Sequence, residues 1–173
     1  MNTTHQQQLT EQQDDQRGDQ HKNLLRIVTF FETLSLDNLA LIPLIYARDA
    51  WFKDPFNEIT GLPAIKHLFT HMFVQVDDPR FVITHHMHQG DTAFMTWEFY
   101  FRMKRFSSAD QCIRGATHFR LDNDGYIIYH RDYWDAAEEL YEKLPVLGAL
   151  MRLLKRGAKA SDTPDRGHTI LQN

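Results

Sequence analysis

Two side chains near the end of one β-rich run, His130 and Asp132, can carry acid–base chemistry, and the indole of Trp134 stands beside them. Successive residues of a strand point to opposite faces. If Trp134 faces inward, Asp132, His130 and Ile128 share its side, while Tyr133, Arg131 and Tyr129 take the other. An acid, an imidazole and an indole on one face of a core strand are costly to bury without partners or water, so the triplet points to a pocket lined by polar groups. A neighbouring carboxylate can hold one tautomer of His130 and raise its basicity. The same pair would serve equally as a structural contact that fixes the sheet or bonds the terminal helix.

The other histidines resemble metal ligands at first sight. His86 and His88 share a strand face and His118 can approach from a neighbouring strand, but His85 faces oppositely, and an aqueous or interface face accounts for them as well. His67 and His71 have i, i+4 spacing on a helix without the Glu of a zinc-protease motif. Cys112 is the only cysteine, which excludes an internal disulfide and cysteine-based metal clusters. No metal and no cofactor is expected.

Apolar periodicity supplies the elements that must position these groups. Leu24, Leu25, Val28 and Phe31 predict an amphipathic helix from about His21 to Leu34. A second helix is expected from Ser35 or Asp37 to about Ala47, kinked or stopped at Pro43, followed by a short extended piece from Ala50 to Pro55. Gly61 and Pro63 open a third helix. Phe81–His88, Ala93–Lys104, Cys112–Leu121 and Tyr126–Trp134 then read as four strands joined by short turns, an antiparallel meander. Asp122-Asn123-Asp124-Gly125 is the strongest hairpin signal, because glycine accepts the positive φ that tight turns demand. A last helix is expected from about Asp135 to Lys155, kinked or broken near Leu144 by Pro145. Helices, a meander and a helix make an α+β order: N-terminal helices on a strongly curved antiparallel sheet, with a conical hollow between the layers and an extra C-terminal helix.

At 173 residues the chain suits one domain. Residues 1–20 and 157–173 are polar and predicted to be disordered, leaving a folded domain over 21–156. The net charge of −4 offers no basic excess to follow a phosphate backbone, so nucleic acid is not an expected partner. No run reaches the roughly 20 apolar residues of a membrane helix, and the polar start lacks a signal-peptide core. Membrane association is not expected, although the terminal helix is basic and amphipathic, and elimination points to the cytoplasm.

The stretch Tyr46-Ala47-Arg48-Asp49-Ala50-Trp51-Phe52-Lys53-Asp54-Pro55-Phe56, with Gly61 following, resembles the early segment of the nuclear transport factor 2-like (NTF2-like) superfamily. His118 to Trp134 resembles its last two strands. The resemblance spans about Lys22 to Trp134 and implies a cone-shaped, cystatin-like fold shared by ketosteroid isomerases, SnoaL-like polyketide cyclases, limonene-epoxide hydrolases and dehydratases. In the isomerase pattern Asp54 takes the place of the general base, although a turn cap or an ion pair with Arg48 or Lys53 explains it equally. The pattern's first-helix phenol falls on Phe30 and its third-strand acid on Thr117, which removes two strong oxyanion donors, each worth about 3 kcal/mol. A literal ketosteroid isomerase is therefore rejected.

The resemblance and the residues together imply an NTF2-like protein that takes a small, largely apolar molecule into the cone. Its chemistry would be cofactor-independent, of isomerase, cyclase, hydratase or hydrolase type. Asp54 would be the base, with His130 and Asp132 as a second acid–base pair. Phe30, Trp51, Phe52, Thr117 and Trp134 would line the pocket, and a homodimer would form through the sheet face. The alternative is a non-catalytic ligand-binding or scaffold domain.

Overall fold

The computed structural model describes residues 18–103 and 107–136. Helix α1 covers 18–32 of the described residues. A short 3₁₀ helix, Asp37–Leu44, replaces the expected second α-helix. Pro43 lies inside it and cannot donate to a helical ladder, so the chain turns at Ile45 and enters a strand. That strand, β1 (Tyr46–Lys53), starts four residues earlier than expected and pairs with a three-residue β2 (Glu58–Thr60) that the sequence did not disclose. Helix α2 runs over Leu62–Gln75, with Gly61 at its N-cap and Pro63 in its first turn.

The meander follows as expected: β3 (Val76–Gln89), β4 (Thr92–Met103), β5 (Ser107–Leu121) and β6 (Ile127–Tyr133). β3 begins before Pro79 because the strand tolerates that residue at an irregularity. Pairing lapses between Asp77 and Arg80, where Asp78 adopts φ 49°, and resumes beyond it. The expected terminal helix lies outside the described residues.

The strands form one sheet in the order β2-β1-β6-β5-β4-β3. The expectation of a wholly antiparallel sheet is corrected here: β1 runs parallel to β6, with Trp51 beside Tyr129, Phe52 beside His130 and Lys53 beside Arg131. The intervening helices and meander make this possible, since a parallel neighbour needs a long crossover. One face of the sheet buries Ala93, Met95, Trp97, Phe99 and Phe101 from β4 and Ile113, Thr117, Phe119 and Leu121 from β5. Against it pack Leu24, Ile27 and Phe31 of α1 and Ile65, Phe69 and Phe73 of α2. The opposite face carries Phe94, Glu98, Tyr100, Arg114, His118 and Arg120, so the alternation left open along β4 and β5 is resolved with the odd-numbered residues inside.

Candidate functional site

The inner face of β6 depends on a single irregularity. Arg120 pairs with Tyr129 but Leu121 pairs with Ile127, so Ile128 is an extra residue, a bulge. Ile127 therefore takes the buried position that plain alternation gave to Ile128, and His130 and Asp132 follow on the same face. From that point onward the alternation holds.

His130 is 1% exposed and sealed by rings: Phe52 at 4.4 Å, Phe119 at 4.9 Å and Phe31 at 5.8 Å between centroids. An imidazole there must find polar partners on both nitrogens, and it does. Nε2 lies 2.9 Å from Asp132 Oδ1, and Nδ1 lies 2.8 Å from the hydroxyl of Tyr46, the first residue of β1. Burial pushes the Tyr46 phenol well above its ordinary value, and the Asp132 carboxylate pushes it the same way. Tyr46 thus keeps its proton and can donate it to His130 Nδ1.

Two more members complete the network from the other side. Thr117 Oγ1 lies 2.5 Å from the same Asp132 oxygen, and the Trp97 indole Nε1 lies 2.8 Å from Thr117 Oγ1. An indole N–H can only donate, so the Thr117 oxygen accepts from it and spends its one proton on Asp132. Asp132 Oδ1 consequently accepts two bonds, one from Thr117 and one from the Nε2–H of His130, whose Nδ1 accepts from Tyr46. The run Trp97–Thr117–Asp132–His130–Tyr46 crosses four strands with every buried donor and acceptor matched. Sequence alternation found His130 and Asp132, and the family resemblance pointed to Thr117. Tyr46 and Trp97 were missed as members, since pairing across 84 and 20 residues of sequence needs the sheet register.

Asp132 is where this network meets open space. Its side chain is 17% exposed, against 2% for His130. After Lys53, β1 turns away into β2 while β6 continues, and a cleft of about 560 Å³ opens between the diverging ends, lined by Asp54, Pro55, Arg131, Asp132 and Trp134 among others. Trp134 forms an apolar wall of it and meets the Phe56 ring edge-to-face at 5.3 Å.

Asp54 lines the same cleft, so the two carboxylates are brought to one space. Its oxygens are nonetheless occupied. Oδ1 accepts from the backbone N–H of Phe56 (2.7 Å) and Asn57 (2.6 Å), and the Asn57 amide spans Oδ1 and Oδ2 at 3.0 and 2.9 Å. These bonds shape the turn that carries β1 into β2. Among the expected wall residues, Phe52 covers His130 and Phe30 is buried against Phe31. Trp51 takes the opposite face of β1 and stacks on Tyr129 at 4.8 Å, away from the His130 side. Among the described residues no group of three or more His, Cys, Asp or Glu side chains is placed to hold a metal ion.

Comparison with known proteins bears on this arrangement. A family model described as SnoaL-like domain matches residues 27–130. No curated protein matches the chain. Among solved structures, a protein of Catenulispora acidiphila with a ketosteroid isomerase-like fold, in complex with trimethylamine, is 19% identical. It aligns over 66% of this chain and 88% of its own, with a TM-score of 0.59. An NTF2-like protein of unknown function from Burkholderia pseudomallei is 14% identical over 67% and 92%, with a TM-score of 0.60. An LEH-like epoxide hydrolase of M. tuberculosis is 18% identical over 82% of this chain and 96% of its own, with a TM-score of 0.59. At such identities the likeness speaks for the fold.

Proposed function

The chain belongs to the SnoaL-like domain family, and from that premise we propose that it binds a small, largely apolar molecule in the cleft between β1 and β6 and acts on it by acid–base chemistry, with Asp132 as the base. The observation that carries this reading is the one-sided bonding of Asp132. Oδ1 is held by Thr117 and His130 inside the protein, and the carboxylate opens on the cleft beside Trp134. A carboxylate fixed in this way presents its other oxygen in one orientation, which favours proton abstraction or activation of a water.

Asp54 takes a different part in this proposal. With Oδ1 receiving three donors, it holds the turn that forms one bank of the cleft. His130 and Tyr46 orient Asp132 from behind and do not touch a ligand. Arg131, whose guanidinium lies over the Tyr133 ring at 4.9 Å, and the Trp134 indole are the donors left to meet a developing negative charge. An apolar aromatic wall beside a carboxylate suits a flat, uncharged or weakly polar molecule with an acidic C–H or an electrophilic centre.

A probe of suitable chemistry is a nitrobenzisoxazole, an uncharged aromatic. A carboxylate removes its ring C–H proton, the freed electron pair forms a nitrile, and the N–O bond breaks to give a coloured cyanonitrophenolate. The native protein should accelerate this elimination, D132N should lower the rate by about a hundredfold, and D54N should leave it nearly unchanged. A native rate no greater than that of D132N would overturn the assignment of the base. Native mass spectrometry of protein purified from its own host would identify a retained ligand directly.

The alternative, a ligand-binding domain without chemistry, predicts a retained ligand and no difference between the native protein and D132N.

A further inference from the structure

We propose that Trp97 and Gly115 are positioning residues for Asp132: the indole N–H, seated across a residue that has no side chain, aims the Thr117 hydroxyl at the carboxylate. The inference rests on the reading of Asp132 as the reacting base and extends it two strands away from the cleft.

The register explains the arrangement. Trp97 on β4 stands directly opposite Gly115 on β5, and Thr117 is two residues along β5 on the same face. To bond Thr117, the indole must lie across position 115. A Cβ at that position would sit 2.5 Å from two atoms of the Trp97 six-membered ring. The obstructed group is a rigid ring within the buried core, where Trp97 is 6% exposed, so it cannot simply swing aside.

Backbone conformation does not demand a glycine here. The positive-φ glycines among the described residues are Gly61, Gly90 and Gly125, and Gly115 is not one of them. A glycine within a strand weakens it unless something must approach closely, and here the approaching group is the indole.

A threonine hydroxyl left alone rotates among its staggered wells. Trp97 removes that freedom, because an N–H pointing at the oxygen leaves the hydroxyl proton to be directed elsewhere, and Asp132 Oδ1 at 2.5 Å receives it. Donation into the hydroxyl also strengthens it as a donor. Gly115, Trp97 and Thr117 thus act in series on one carboxylate oxygen and leave the other for the cleft.

The test uses the full-length protein, the nitrobenzisoxazole elimination and the variants W97F, G115A, T117S and T117V. W97F and G115A should lower kcat by about tenfold with KM unchanged. T117S, which keeps the hydroxyl, should retain the native rate, and T117V should match W97F. In G115A the Trp97 indole N–H resonance should move toward that of a free indole. Native kcat in W97F and G115A would overturn the proposal. Should either of those fail to fold, equal rates for T117S and T117V would overturn it instead. If D132N is inert while these variants behave as the native protein, only this inference falls. If D132N retains the native rate, the reading of the base falls with it.

Discussion

His130 is held on every side: enclosed by Phe31, Phe52 and Phe119, it has Tyr46 on one nitrogen and Asp132 on the other. Removing the Tyr46 hydroxyl leaves Nδ1 buried without a donor, so Y46F should cost about 1–3 kcal/mol of stability near neutral pH, read from urea unfolding. The cost should depend on pH with a definite sign. The buried phenol of the folded protein holds its proton beyond the pH at which the unfolded chain releases it, near about 10. Its stabilising contribution is therefore complete below that pH and is lost as the pH rises toward the folded value, at about 1.4 kcal/mol per pH unit. Y46F lacks this loss, and the other tyrosines are common to both proteins. The gap between native and Y46F should narrow above about pH 10; a gap that stays constant would show that the phenol is not held in this way. Sequence alone revealed the His130–Asp132 half of this arrangement because two residues on one strand share a face by alternation. It concealed Tyr46, which apolar periodicity assigned to the end of a helix, until Pro43 and the short 3₁₀ turn released it into β1.

The β5–β6 hairpin decides whether those residues face inward at all. Asp122 organises its turn, with Oδ1 accepting from the backbone of Asp124 at 3.0 Å and Tyr126 at 2.8 Å, and Gly125 stands at φ 79°. Arg26 of α1 donates to the Gly125 carbonyl at 2.7 Å and ties the turn to the helix layer. A side chain at position 125 would be strained by the backbone and would also collide with Asn23, with a Cβ 2.2 Å from the amide nitrogen. G125A should therefore lower the unfolding free energy by about 2 kcal/mol. It should also disturb the His130 imidazole resonances, because the bulge at Ile128 begins within three residues of the turn. An imidazole spectrum unchanged in G125A would mean that the hairpin does not control the placement of the site. The turn was legible from Asp122 to Gly125, since its residue types carry their own conformational preference. The bulge was not, because nothing in Tyr126-Ile127-Ile128-Tyr129 distinguishes an extra residue from a regular strand. The parallel pairing of β1 with β6, which creates the cleft, was hidden for a similar reason: it joins segments about 80 residues apart that have no turn between them to announce it.

At the scale of the whole molecule, the sheet face turned away from the helices presents aromatic groups that the described residues leave partly exposed. Trp51 stacks on Tyr129, Tyr129 meets His118 at 5.1 Å, and His118 stacks on Phe94 at 4.5 Å with the planes 8° apart, a ladder of rings across β1, β6, β5 and β4. Met87 on β3 pairs with Phe94 and is 66% exposed, while Phe94 is 42% and Tyr133 46% exposed. We propose that a second copy of the chain covers this apolar surface through an isologous contact. Charges around the ladder carry both signs and are paired within the chain: Arg120 with Asp91, Arg114 with Glu98, Lys53 with Glu58. Such a rim leaves no strong field of one sign to keep two copies apart. His118 adds a pH term, because burial and then the guanidinium groups of Arg120 and Arg131 lower its pKa against the opposing pull of Asp91. It therefore remains uncharged to a lower pH than an ordinary histidine and can be covered at neutral pH without the desolvation of a cation. Acidification through its titration would place an additional charge within the contact. Sedimentation equilibrium should accordingly find a dimer at neutral pH that weakens in acid, and M87D combined with F94D should yield a folded monomer. Because Met87 and Phe94 stand on β3 and β4, on the sheet face opposite the Asp132 side chain, that monomer should keep the native elimination rate; a native protein that sediments as a monomer at every concentration would show that the ladder faces something else.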